Sequence, residues 1–209
     1  MPAHELFDRV AQRVYSTSER LFPGTPSASI AGPQTSADIL TALSSGNSTW
    51  MFAGNASPRE TVERLRVCVP SDESRVLYAA RRIMDGEIPV LGHGWTKVGS
   101  PPRWNHEPLA NLIAPSGHWS RIDYLDRSVA GDHKVLWEFN RHQHLVTLAQ
   151  AWQDSRAPEL LHAIQLHLHS WLRDNPPRQG INGASSLEVA SRSISWCWTC
   201  RLLAGGDSG

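Results

Sequence analysis

The stretch GDHKVLWEFNRHQHLVTLAQAW, residues 131–152, decides how the rest of this chain is read. Asp132, Lys134, Glu138 and Arg141 place four charges within ten residues. At about 100° per residue, Lys134, Glu138, Arg141, Leu145, Leu148 and Trp152 fall within about 80° of one another on a single helix. A charged line therefore runs straight into an apolar one. A solvated helix keeps its charges opposite its apolar stripe, so this pattern predicts ion pairs that are partly buried or set at the edge of a cleft. Val135, Phe139, Val146 and Ala149 add a second apolar strip, leaving only Asn140, Gln143, Thr147 and Gln150 as a narrow polar one. Such a helix is covered on several sides. It reads as an inner helix of an all-α fold, with ion pairs holding its register.

Working outward, Pro158 occupies a first-turn position, and Leu160, Leu161, Ile164, Leu168, Trp171 and Leu172 span an arc of about 120° on the helix that follows. His162 and His169 point away from that arc and His167 borders it, which predicts a solvated face rather than a metal site. His142 and His144 diverge by about 200° on a continuous helix and so cannot hold one ion together. A third helix opens with Ser185-Ser186-Leu187-Glu188, a capping-box pattern in which hydroxyl and carboxylate satisfy orphan amides. Glu188 and Arg192 also stand at i, i+4 spacing. Upstream, Val76, Leu77, Ala80 and Ile83 predict a helix over 73–86 ended by Gly86, whereas Glu60–Val67 is ambiguous. Ile88–Lys97 and the prolines at 101, 102, 108 and 115 read as an irregular connection. Residues 1–20 read as a helix, and Phe22–Asn55 as a loop with one short helix near Asp38–Leu43.

The order D-x-K-x-x-W-E-x-x-R-x-x-x-L-x-x-L-x-x-A-W over Asp132–Trp152 resembles the helical N-terminal domain of heparinase II/III-type polysaccharide lyases. A second stretch is similar to the same family: Trp171, Asn175-Pro176, Gly180 and Asn182, then Glu188, Arg192 and Trp196. A weaker echo lies in Trp104-Asn105-His106-Glu107-Pro108 and the Gly117-His118-Trp119 turn. The resemblance covers about residues 92–203. It implies an all-α, incomplete (α/α) toroid of helical hairpins, with 92–209 as the first part of the toroid and 1–91 as an irregular N-terminal region, helical and loop-rich.

The resemblance also implies a chemistry, β-elimination on uronate-containing glycans. That reaction needs a group to neutralise the uronate carboxylate, as well as a base and an acid. In enzymes of this kind an Asn-His pair in a downstream helix and a later Tyr supply them. Neither has a counterpart here, because Tyr15, Tyr78 and Tyr124 all precede the strong motifs, so no catalytic residue is assigned. The residues carried over as glycan contacts are Asn182, Glu188, Arg192, Arg141 and Trp137, with Lys134 and Glu138 as groove scaffolding. Trp119 and Trp196 are further stacking candidates. Asn182-Gly183 replaces the family's Asn-Trp, which removes one aromatic platform. A different class of function, a non-catalytic glycan-binding or scaffold helical protein, stays open. A toroidal hydrolase would need two opposed carboxylates, and only Glu138 and Glu188 offer a pair.

Composition sets outer limits. Lys plus Arg and Asp plus Glu are 20 each, so no whole-chain field attracts nucleic acid. The expected partner is an acidic polysaccharide or oligosaccharide, bound by a local cleft. Cys68, Cys197 and Cys200 do not form a disulfide framework; Cys197 and Cys200 read as packing residues, and no metal or cofactor is expected. No stretch reads as a membrane helix or a secretory signal, which leaves the chain cytoplasmic as written and its compartment open. Two hairpins do not close a toroid. The last helix, with Trp196, Trp198, Leu202 and Leu203, is therefore expected to show an uncovered apolar side through which the chain self-associates.

Overall fold

The computed structural model describes residues 58–204, all within one unit that spans Ser36–Gly209. The helix expected over 1–20 and the short one near Asp38–Leu43 lie outside the described residues. What is described is predominantly helical, with two small antiparallel sheets.

Helix α1 is Pro58–Cys68 and α2 is Pro70–Met84. The stretch whose sequence was ambiguous is thus helical, and Glu60 pairs with Arg64 one turn on at 2.6 Å. Pro70 begins α2, where a missing amide costs nothing. At its end Gly86 takes φ +84° and passes so close to Gly99 that a Cβ would lie 2.8 Å from the Gly99 carbonyl carbon. The connection expected to be irregular is instead a hairpin: β1, Glu87–Val90, pairs with β2, Gly94–Lys97, in antiparallel register. Pro89 stands opposite Trp95 in a ladder of only two strands, where a proline without an amide is tolerated. A smaller pair follows, β3 (His106–Glu107) with β4 (Leu112–Ile113).

Asp126 caps the four-residue helix α3, Arg127–Ala130, and Asp132 caps α4, His133–Asn140, each accepting from the amide two residues on. Helix α5 is Gln143–Ser155, α6 is Pro158–Asp174 and α7 is Ser186–Ala204. The single helix expected over 132–152 is therefore two helices. Arg141 closes α4, and His142 adopts a left-handed backbone, φ 61° and ψ 23°, before α5 begins. Tertiary anchors hold this break in place of glycine. The Asn140 amide donates to the Trp104 and Leu136 carbonyls at 2.9 and 2.8 Å, and the fully buried His142 ring accepts from the Trp196 indole at 2.7 Å.

The break divides the apolar residues by helix between two cores, so Phe139 and Ala149, which share one strip on a continuous helix, enter different cores. Leu136, Trp137 and Phe139 of α4 pack with Ile88, Val98, Trp104, Trp171 and Ile181. Leu145, Leu148, Ala149 and Trp152 of α5 pack with Ala80, Ile83, Leu160 and Ile164. Helix α5 is the centre of the assembly, with α2, α6 and α7 packed against it, and Trp196 of α7 touches both cores. Helix α7 does leave apolar side chains uncovered, but the residues differ from those expected. Trp196, Leu202 and Leu203 pack inward, whereas Leu187, Val189 and Ile194 are exposed. Cys197 and Cys200 also lie on exposed surface rather than serving as packing residues. Among the described residues, no helix is long and apolar enough to cross a membrane.

Candidate functional site

Both sequence motifs converge at the end of α4. The Arg141 guanidinium forks onto Glu188, with Nε donating to Oε2 at 2.7 Å and Nη2 to Oε1 at 2.9 Å. Its Nη1 donates to Glu138 one turn back at 2.5 Å. Glu188 is buried at the start of α7, while Arg141 and Glu138 remain partly open to solvent. The hydrogen bonds that Arg141 donates to Glu188, together with the charges of Glu188 and Glu138, hold its pKa above the ordinary value against the opposing effect of burial. A bidentate fork onto a buried carboxylate is among the stronger side-chain pairings.

This pairing corrects two local expectations. The Glu188 carboxylate is taken by Arg141, 47 residues away, in place of the Ser185 capping box and of Arg192. Arg192 instead reaches past Glu188 to main chain, donating to the Asn140 carbonyl at 2.9 Å and the Asn182 carbonyl at 2.8 Å. Its guanidinium lies 4.4 Å from the Trp171 ring centre. Burial pushes its pKa down to about 10, against the opposing charge of Glu188.

The Asn175–Asn182 segment is fixed in the same way. Asn182 is buried and donates to Asn175 Oδ1 at 2.7 Å and to Asn105 Oδ1 at 3.3 Å; its own Oδ1 is buried without a partner. Gly180, at φ +68°, donates to the Gly117 carbonyl at 2.9 Å, and Trp119 donates to the Arg178 carbonyl at 3.1 Å. The weaker tryptophan-rich stretch is thereby joined to the second motif. Trp137 donates its indole N–H to the Ile181 carbonyl at 3.0 Å, and its ring is packed by Tyr124 and His133. It is 9% exposed, which makes it a core residue and not a platform for a sugar. Trp171 completes the node by donating to Asn140 Oδ1 at 2.8 Å.

Of the residues expected to contact a ligand, Asn182, Glu188, Arg192 and Trp137 are thus buried and committed to internal bonds. Arg141 alone reaches solvent, beside Glu138 and the exposed Lys134. Glu138 and Glu188 share one guanidinium and do not oppose each other across a space, so the two-carboxylate arrangement of a hydrolase is not built here. Next to this node, α5 and α7 border a groove of about 360 Å³ lined by Gln143, Val146, Thr147, Ser191, Ile194, Ser195 and Trp198. It brings the polar strip of α5 to a half-buried indole, and none of its lining residues is charged.

One cluster was not expected. His142, His144 and His167 are all buried and gather beside Trp104, Trp171 and Trp196. The break at Arg141–His142 brings together two rings that a continuous helix would have sent apart, and His167 faces inward instead of solvent. Burial lowers the pKa of all three, that of His167 to about 4. Among the described residues, no group of His, Cys, Asp or Glu is arranged to hold a metal ion.

No protein-family model, no curated protein and no solved structure matches this chain.

Proposed function

We propose that this chain forms the opening part of a lyase-like (α/α) toroid that takes uronate-containing glycans, and that its share of the work is to frame the glycan groove. The observation that carries the reading is the meeting of the two motifs. Asp132–Trp152 and Trp171–Trp196 were read from sequence as separate parts of one family's signature. Arg141 with Glu188, and Arg192 with Asn182 and, through Asn140, Trp171, form two hydrogen-bonded sets that adjoin at Asn140–Arg141 beside the α5–α7 groove. The acid and base of β-elimination have no counterpart in these residues, so they belong to other segments of the family's pattern. The expected ligand is an acidic oligosaccharide, met first at the solvent-reaching edge of Lys134 and Arg141.

The alternative, a non-catalytic scaffold, draws support from a specific fact: the polar groups of Arg192 and Glu188, and the Asn182 amide, already have internal partners. Titrating the purified chain with alginate and heparosan oligosaccharides and with neutral oligosaccharides of the same length separates the two. Saturable binding of the uronate series that weakens with salt supports the groove. No saturable binding of any uronate oligosaccharide to the folded protein refutes it and leaves the scaffold. Release of ultraviolet-absorbing unsaturated uronate by this chain alone would refute the assignment of a framing role.

A further inference from the structure

The three buried histidines have more hydrogen-bonding capacity than the protein around them uses. His142 Nε2 and both ring nitrogens of His144 and of His167 are buried without a protein partner. The nearest polar side chains are already committed: Trp104 donates to Ser170 Oγ, and Ser170 in turn donates to the His167 carbonyl. Buried polar atoms in folded proteins are nearly always satisfied, and where protein groups do not satisfy them ordered water does.

Tautomer logic narrows the arrangement. The Trp196 indole is a donor only, so His142 Nδ1, 2.7 Å away, accepts. The neutral His142 ring then carries its proton on Nε2, which is a buried donor in need of an acceptor. Neutral His144 and His167 each offer one lone pair and one N–H. The rings are close, with His142 and His144 centroids 5.7 Å apart and those of His144 and His167 5.3 Å apart, yet no imidazole bonds another. One water can accept from His142 Nε2–H and donate to the lone pairs of His144 and His167, which satisfies three of the five orphaned ring nitrogens. The remaining N–H of His144 and of His167 calls for a further water. Three bonds is the usual complement of a buried water.

We infer that His142, His144 and His167 form an internal site for long-lived water, wired through His142 to the Trp196 indole. The site sits directly behind the α4–α5 break, because His142 is the left-handed residue that makes the break. Arg192 is the charged group nearest the site from α7, and Trp104 and Trp171 close it from the β-rich stretch and α6. The inference does not depend on the glycan reading.

Long-range proton–nitrogen correlation on the full chain near neutral pH reads the tautomers, and water-selective transfer to the ring protons reads the guest. The expected result is His142 in the Nε2–H form, all three rings neutral, and a cross-peak from slowly exchanging water to the rings. Oxygen-17 relaxation dispersion should count fewer long-lived waters in His167→Phe than in the wild type. His142 found in the Nδ1–H form, or rings with no water contact, overturns the inference. So does a stoichiometric transition metal in the purified protein with metal-shifted ring nitrogens. If His167→Phe does not fold, the wild-type tautomers and water contacts decide the matter.

Discussion

Arg141→Met tests the joint between the two motifs. The side chain donates three hydrogen bonds, two to Glu188 and one to Glu138, and Glu188 is 4% exposed while Arg141 is 25% exposed. Methionine keeps the apolar stem and removes the charge, so Glu188 is left buried beside Glu138 without a cation. Breaking a buried pair by removing one partner costs about 3–5 kcal/mol, and the partial exposure of Arg141 places this one near the low end, about 3 kcal/mol. For a domain of this size, that lowers the melting temperature by about 6–12 °C. Glu188→Gln should cost less, about 1–2 kcal/mol, since an amide still accepts one bond from the guanidinium. The double variant Arg141→Met with Glu188→Leu should be more stable than the sum of its parts, because it leaves no orphaned charge. Urea unfolding followed by circular dichroism and by tryptophan fluorescence measures all three, and coincidence of the two probes checks that the transition is two-state. An Arg141→Met variant within about 0.5 kcal/mol of wild type, the scale of an ordinary surface change, would refute the role given to this pair.

Acid should unfold the chain through its histidines. The His167 pKa is pushed from 6.5 down to about 4 by burial, so between those values the unfolded chain binds a proton that the folded one does not. Stability is complete above the unfolded value and falls as pH drops toward 4, by about 3 kcal/mol from His167 alone. His142 and His144 shift the same way, so the urea midpoint should drop steeply between neutral pH and about pH 4.5, and less steeply in a folded His167→Phe variant. Gly131→Ala should destabilise by about 2–4 kcal/mol in the same assay, since Gly131 sits at φ +67° with a Cβ position 2.8 Å from Glu107 Cγ. Glu107 cannot give way freely, because it is fully buried and accepts from the Leu109 and Ala110 amides. Ile194→Lys and Leu187→Lys should lower any concentration-dependent self-association in sedimentation while leaving the melt within a few degrees, because both positions are well exposed on α7.

Local chemistry was legible where it alone decides structure. The apolar spacing of α2 and α6, the first-turn Pro158 and the stop at Gly86 all act within a few residues, and the helices follow them. The β1–β2 hairpin was not legible, because Pro89 argues against a strand, even though Gly92 and Gly94, at φ +81° and +67°, carry a local turn between the two segments. The break at His142 carries no glycine or proline. It is held by Trp104 and Trp196, which lie 38 and 54 residues away, so no window of sequence around it contains the cause. Helical angles do not carry across the break, so His142 and His144, which diverge on a continuous helix, meet here. The motif marks the node residues, but local spacing points to partners one turn away, whereas the buried charges are matched across 47 residues.

That pattern bears on what such a signature records. Arg192 donates to two main-chain carbonyls, Glu188 accepts from one guanidinium and Trp137 donates to the Ile181 carbonyl. Each is a residue type whose long reach or fixed geometry suits it to ligand contact, and here each is used to tie a loop to a helix. A buried polar group left without its partner costs more than most surface contacts supply, so these positions are held by folding before any ligand is considered. The freedom to vary chemistry lies instead at Lys134 on the open edge and in the groove beside Gln143, Thr147 and Trp198. A ligand's identity would be written there. The node behind fixes only where that edge and groove stand.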